Sequence, residues 1–182
     1  AQGRYGAIVK TEVSDLPRNR VSITIDIDEG DVAKIRHINL VGNSEFLDTE
    51  LLDQFEQKNT GWLSWITSDD KYSREKLSSD LETLESFYLD RGYLEFEILN
   101  TQVSVSPDKE SVFITININE GDIFSVGEIK LAGELIISEE QIRNLILLQP
   151  DMTFSQILMT TSSEYITQRL GNEGYTFAEV QG

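Results

Sequence analysis

Two acid pairs, Glu29-Gly30-Asp31 and Glu120-Gly121-Asp122, have the residue types and spacing that could do hydrolytic chemistry. Two neighbouring carboxylates can share acid and base roles across a scissile bond. That work needs one unique pair in a cleft, whereas here the same pair occurs twice, each time just after an alternating apolar run. Repetition at strand exits reads as turn chemistry. A carboxylate hydrolase using Glu120 and Asp122 stays open as a rival reading. His37 is the only histidine, and a lone residue implies no Ser-His-Asp arrangement, so it reads as a surface or interface side chain. Asp69-Asp70 and Glu139-Glu140 read as solvated charges near helix starts and lack calcium-loop spacing. The glycines stand singly at turns rather than in a phosphate loop. With no cysteine there is no thiolate nucleophile, disulfide or cysteine metal site. No catalytic residue, cofactor or metal is expected.

The elements around these acids carry more information. Val21, Ile23, Ile25 and Ile27 alternate with polar residues, then come Glu29-Gly30-Asp31 and Ile38-Asn39-Leu40-Val41-Gly42. Val112, Ile114, Ile116 and Ile118 do the same ahead of Glu120-Gly121-Asp122 and Ile129-Lys130-Leu131-Ala132-Gly133, at a constant offset of 91. A self-similar period of that size means tandem small domains. In 182 residues such domains lie near the lower limit for burying a core. The net charge of −17 disfavours nucleic acid and anionic membrane surfaces. No apolar run approaches the roughly 20 residues of a membrane-spanning helix.

Between the two copies, Asp48–Gln57 carries Leu51, Leu52 and Phe55 at helical spacing. A longer helix is expected over Ser73–Arg91, capped by Ser73, with Leu77, Leu81, Leu84 and Tyr88 on one face and Gly92 as its stop. An extended stretch begins at Tyr93, and Pro107-Asp108 turns it into Val112–Ile118. The order strand-helix-helix-strand-strand predicts a two-layer α+β domain: a three-stranded mixed sheet with two helices on one face. The second copy repeats the helices, with Ser138 and Gln141 as a capping box, Ser155 for Ser73 and Gly174-Tyr175 for Gly92-Tyr93 at an offset of 82. The shorter offset places Trp62-Leu63-Ser64-Trp65 in or beside an insertion.

This unit, with glycine after its first strand (Gly42, Gly133) and Gly-Tyr after its second helix, resembles a POTRA domain. The segments Leu16–Val21, Asp80–Leu84, Tyr88–Tyr93, Thr101–Ser104 and Pro107–Lys109 are similar to the POTRA region of a bacterial factor that assembles outer-membrane β-barrels. That resemblance implies tandem modules: 1–31 closing a second POTRA domain, 32–122 a complete third, and 123–182 most of a fourth. It implies a non-enzymatic scaffold at the periplasmic face of the outer membrane, touching the membrane only through a barrel outside this stretch. Unfolded outer-membrane proteins and accessory lipoprotein subunits would be its partners. The alternative is the POTRA region of a dedicated secretion transporter or a division protein, since the fold alone does not fix the client.

Such a sheet has two edges, and an edge strand can accept another chain through its main-chain groups. The expected docking edge is Leu99, Thr101, Gln102, Val103, Ser104 and Val105. Leu94, Phe96 and Ile98 share one parity and Val103 and Val105 the other, which predicts a bulge near Leu99-Asn100. Val103 and Val105 either line that edge or pack under the helices. Trp62 and Trp65 form either a second, exposed patch or part of the core. Finally, the stretches 1–30 and 123–182 each read as part of a module, so chain-to-chain contact completing them is a further expectation.

Overall fold

The computed structural model describes residues 7–29, 32–61 and 70–182. They form two compact units: residues 1–83 with 99–118, and residues 84–98 with 119–182. The first holds an antiparallel hairpin, β1 (Ile8–Leu16) and β2 (Arg20–Asp28), with Ile23 opposite Val13. It also holds most of a three-stranded sheet of order β3-β5-β4, from β3 (Lys34–Val41), β4 (Glu97–Val105) and β5 (Ser111–Asn119). β3 runs parallel to β5, as the expected mixed sheet requires. A register shift between Ile35 and His37 adds Arg36 to β3, so Ile35, Ile38 and Leu40 are all buried despite their odd spacing. On β5, Val112, Ile114, Ile116 and Ile118 are only 0–3% exposed.

Helix α1 (Asp48–Asp53) stops earlier than the expected Gln57. The reason is tertiary. Asp80 takes the backbone N–H groups of Glu56 (2.6 Å) and Gln57 (3.2 Å), which would otherwise continue the helix. Helix α2 (Arg74–Leu89) is capped by the Ser73 hydroxyl, as its sequence predicts. At its end Gly92 has φ +90° and Tyr93 N–H reaches back to Tyr88 O, 3.1 Å, the glycine-terminated closure expected there.

The second unit contains the end of α2 and the helices of the second repeat, α3 (Glu139–Arg143) and α4 (Gln156–Asn172). Ser138 and Ser155 cap them, accepting from Gln141 N and Leu158 N. Gly174-Tyr175 closes α4 as Gly92-Tyr93 closes α2, with Tyr175 N–H on Leu170 O at 3.0 Å. Ile142, Ile166 and Leu170 form a small core here. Around Tyr88, the Phe96 ring stacks at 4.2 Å and Tyr93 packs edge-on at 5.6 Å. The chain leaving β5 is tied to this cluster: Phe124 donates to Gly92 O (2.8 Å) and accepts from Phe154 N (3.0 Å), while Asp90 takes Ile157 N–H (2.7 Å). A side chain at Gly92 would come within 2.8 Å of Phe124 O, so this joint requires glycine.

Candidate strand-addition edge

Ser106 N–H bonds Ser111 O at 2.9 Å, which closes the β4–β5 hairpin and fixes its pairing. Carried along an antiparallel ladder, that pairing sets Asn100 opposite Asn117, and their side-chain amides do meet at 2.7 Å. No extra residue therefore intervenes between Asn100 and Ser106. In such a ladder, residues alternate between pointing both main-chain groups at the neighbour and pointing both away. Asn100, Gln102 and Ser104 bond to β5. Thr101, Val103 and Val105 present N–H and C=O to the open side.

Ile98 is half-buried while its neighbour Leu99 is 55% exposed, so the parity change on which the bulge at Leu99-Asn100 is expected lies within the strand. Phe96 N–H bonds Tyr93 O (3.2 Å) in a turn, and the strand starts only at Glu97. Phe96 is buried because that turn directs it at Tyr88, not because it belongs to the strand's inner face.

The two edges of the sheet differ. On β3, Ile35 donates to Asp70 O (2.7 Å) and accepts from Thr60 N (2.8 Å), Tyr72 N–H bonds Ala33 O (3.0 Å), and Asn59 Oδ1 takes Ile38 N–H (2.9 Å). From Ala33 to Ile38 that edge is capped by its own chain. β4 ends the sheet, and among the described residues no second strand lies along it. Cross-strand pairing puts the Val103 and Val105 side chains on the same face as Ile114 and Val112, yet each remains 37% exposed. They are neither fully packed nor fully outward: an edge strand carries its inner-face side chains to the margin of the core.

Three other expectations have definite outcomes. Asp70 is not a solvated charge. It is 1% exposed, with Thr60 Oγ1 at 3.2 Å and Lys34 Nζ at 3.6 Å, and it helps seat the segment capping β3. No sequence signal marked this role, because it depends on loops without periodicity. Glu120 is buried and accepts the Tyr88 hydroxyl at 2.8 Å, while Asp122 is exposed, so the acid pair is split between packing and solvent rather than converging on a cleft. His37 is exposed on β3. Trp62, Trp65 and Asp69 lie outside the described residues.

Comparison with known proteins accords with this geometry. The POTRA family model, described as "Surface antigen variable number repeat", matches twice, over residues 33–121 and 124–182. The chain is 31% identical to the outer membrane protein assembly factor BamA of Neisseria meningitidis serogroup B, over 98% of this chain and 23% of that protein. It is 32% identical to BamA of Buchnera aphidicola, over 89% of this chain and 26% of that protein. It thus spans about a quarter of the length of these relatives. Among solved structures, it resembles POTRA3-5 of Haemophilus influenzae BamA with a TM-score of 0.59 and 20% identity, over 93% of this chain and 64% of that one. BamA of Haemophilus ducreyi lacking POTRA domains 1-3 gives the same TM-score at 18% identity, over 78% and 24%. With two matched repeats and the shared mixed sheet and helices, the chain belongs to the POTRA family.

Proposed function

We propose that this chain is a tandem-POTRA scaffold acting in outer-membrane β-barrel assembly, on the periplasmic side of the outer membrane. Its modules divide near 1–31, 32–122 and 123–182. It holds unfolded outer-membrane protein segments, or an accessory lipoprotein subunit, by strand addition along Leu99–Val105, and it is not an enzyme. The observation that carries the reading is the contrast between the edges: β3 is capped by residues 59–60 and 70–72, while β4 ends the sheet. Main-chain bonding tolerates varied sequences, and alternate side chains give modest selectivity. A factor serving many β-rich clients needs that combination. The relatives' names support the assembly role, and the two matched stretches support the module division.

The test is photocrosslinking from positions 99, 103 and 105 against a panel of unfolded barrel-protein peptides. Weak capture of many peptides, concentrated at these positions, is the expected result. One tight ligand with the rest ignored would favour a dedicated secretion or division role instead. Capture independent of position would rule the edge out as the binding surface.

A further inference from the structure

Edge strands are ordinarily guarded against pairing with other chains by charge, proline or brevity. β4 lacks these guards where it is open. It is nine residues long, and from Ile98 to Ser106 it carries no charged residue and no proline, in a chain that is 26% charged. β3, by contrast, is covered from Ala33 to Ile38.

The open stretch is also self-complementary. Thr101, Val103 and Val105 hold their main-chain groups outward, so the stretch turned end for end about Val103 presents the same groups to itself. An antiparallel pair centred there sets Val103 against Val103, Thr101 against Val105 and Gln102 against Ser104 of the other copy. The valines then share the helix-side face, and amide meets hydroxyl on the other. Other centres do worse. One at Val105 brings Pro107, which has no N–H, opposite Val103. One at Thr101 runs into the parity change at Ile98-Leu99. The bracketing charges also suit the Val103 centre. Glu97 comes across from the 107–110 turn of the other copy, whose cation is Lys109. Asp108 in that turn is engaged by the Ser106 hydroxyl and the Glu110 N–H, and Glu110 lies on the return into β5.

We propose that two copies of this chain pair β4 with β4 about a two-fold axis at Val103, joining their three-stranded sheets edge to edge. The pairing rests on β4 being the open edge of the preceding section. It occupies the main-chain groups that a client strand would use, so dimer and client exclude one another. A contact between identical patches closes at two copies. One short strand falls below the roughly 1,200 Å² of a stable interface. Each copy also carries a charge of −17, so the pair forms only at high concentration and yields to client. At low concentration the chain stays monomeric and the edge free.

Sedimentation of the 182-residue chain over a concentration series, at an ionic strength of about 0.15 M, tests this. Monomer should give way to dimer, and excess unfolded barrel-protein peptide should return it to monomer. Glu97→Lys and Lys109→Glu should each weaken self-association by roughly threefold to tenfold, since two attractive pairs become repulsive. An equimolar mixture of the two variants should regain it, because each charge then meets its opposite. Gln102→Cys chains mixed with Ser104→Cys chains should form a disulfide on mild oxidation in a protein with no other thiol. Opposed residues of such a pair have Cα atoms about 4.5 Å apart, within the range a disulfide spans. Either variant alone should crosslink far less. A monomer at every concentration overturns the pairing. So does a mixture of charge variants that regains nothing, or equal crosslinking from one cysteine variant alone. If a purely monomeric chain still binds peptide at Thr101, Val103 and Val105, strand addition stands and only the pairing falls. If neither a second copy nor peptide occupies those positions, both fall.

Discussion

Proline at position 103 tests the edge at the level of a single hydrogen-bond donor. The register set by Ser106–Ser111 and Asn100–Asn117 points the Val103 N–H away from β5, so Val103→Pro removes no bond from the ladder. Its cost to the fold is then a matter of strand propensity, about 1 kcal/mol. Gln102→Pro, one residue away, removes a donor to β5 and strands a carbonyl. Losing the bond and leaving the acceptor unsatisfied costs about 2–4 kcal/mol. Binding reverses this order. An added strand loses a main-chain bond at position 103 and meets the proline ring, which weakens it roughly tenfold for each 1.4 kcal/mol lost. Denaturant unfolding and fluorescence anisotropy with an extended apolar-alternating peptide separate the two effects. Val103→Pro should unfold near wild type and bind poorly. If folded Val103→Pro binds with unchanged affinity, strand addition at this edge is refuted. If it unfolds as easily as Gln102→Pro, the β4–β5 register is not the one that Ser106–Ser111 and Asn100–Asn117 set.

Further outcomes follow from other contacts. Gly42→Ala should unfold the middle module, with the φ of +103° adding to a clash at 2.1 Å with Ile118 O; loss of the cooperative transition in far-UV circular dichroism checks it. Tyr88→Phe removes the buried hydroxyl bond to Glu120 and should cost about 0.5–1.5 kcal/mol by denaturant unfolding, the usual range for one hydrogen bond. The Asp108 carboxyl is held below its ordinary range by the Ser106 hydroxyl and then by the Glu110 N–H, 3.0 Å away. A carboxyl lowered in the folded state stabilises above its unfolded pKa and loses that contribution as pH falls through the folded value. Amide exchange in the 106–111 turn, corrected for intrinsic rates, should therefore rise as pH drops below about 4, and Asp108→Asn should remove that dependence.

Alternation, capping residues and Gly-Tyr stops made the elements legible, because each is a local signal. Ser73, Ser138 and Ser155 cap the helices predicted to follow them, and both Gly-Tyr pairs close a helix in the same way. What sequence could not convey was coverage. The isoleucines of β2 and β5 share one pattern, but only those of β5 are buried, since periodicity says which side chains share a face and not what lies against it. The same limit hid the capping of β3 by Asn59, Thr60 and Asp70, and the early end of α1, where Asp80 arrives from a distant helix. β4 was legible as an edge because it is joined to β5 by a tight turn. At Phe96 parity merged a turn with the strand that follows it.

Residue-resolved amide exchange, with and without an unfolded barrel-protein peptide, addresses the edge most directly. In the free chain the amides of Thr101, Val103 and Val105 should exchange quickly while those of Asn100, Gln102 and Ser104 are slow. Peptide should protect the first set and leave the second unchanged. Uniform protection of both sets in the free chain, or peptide-induced protection elsewhere with none on these three amides, would contradict strand addition at β4.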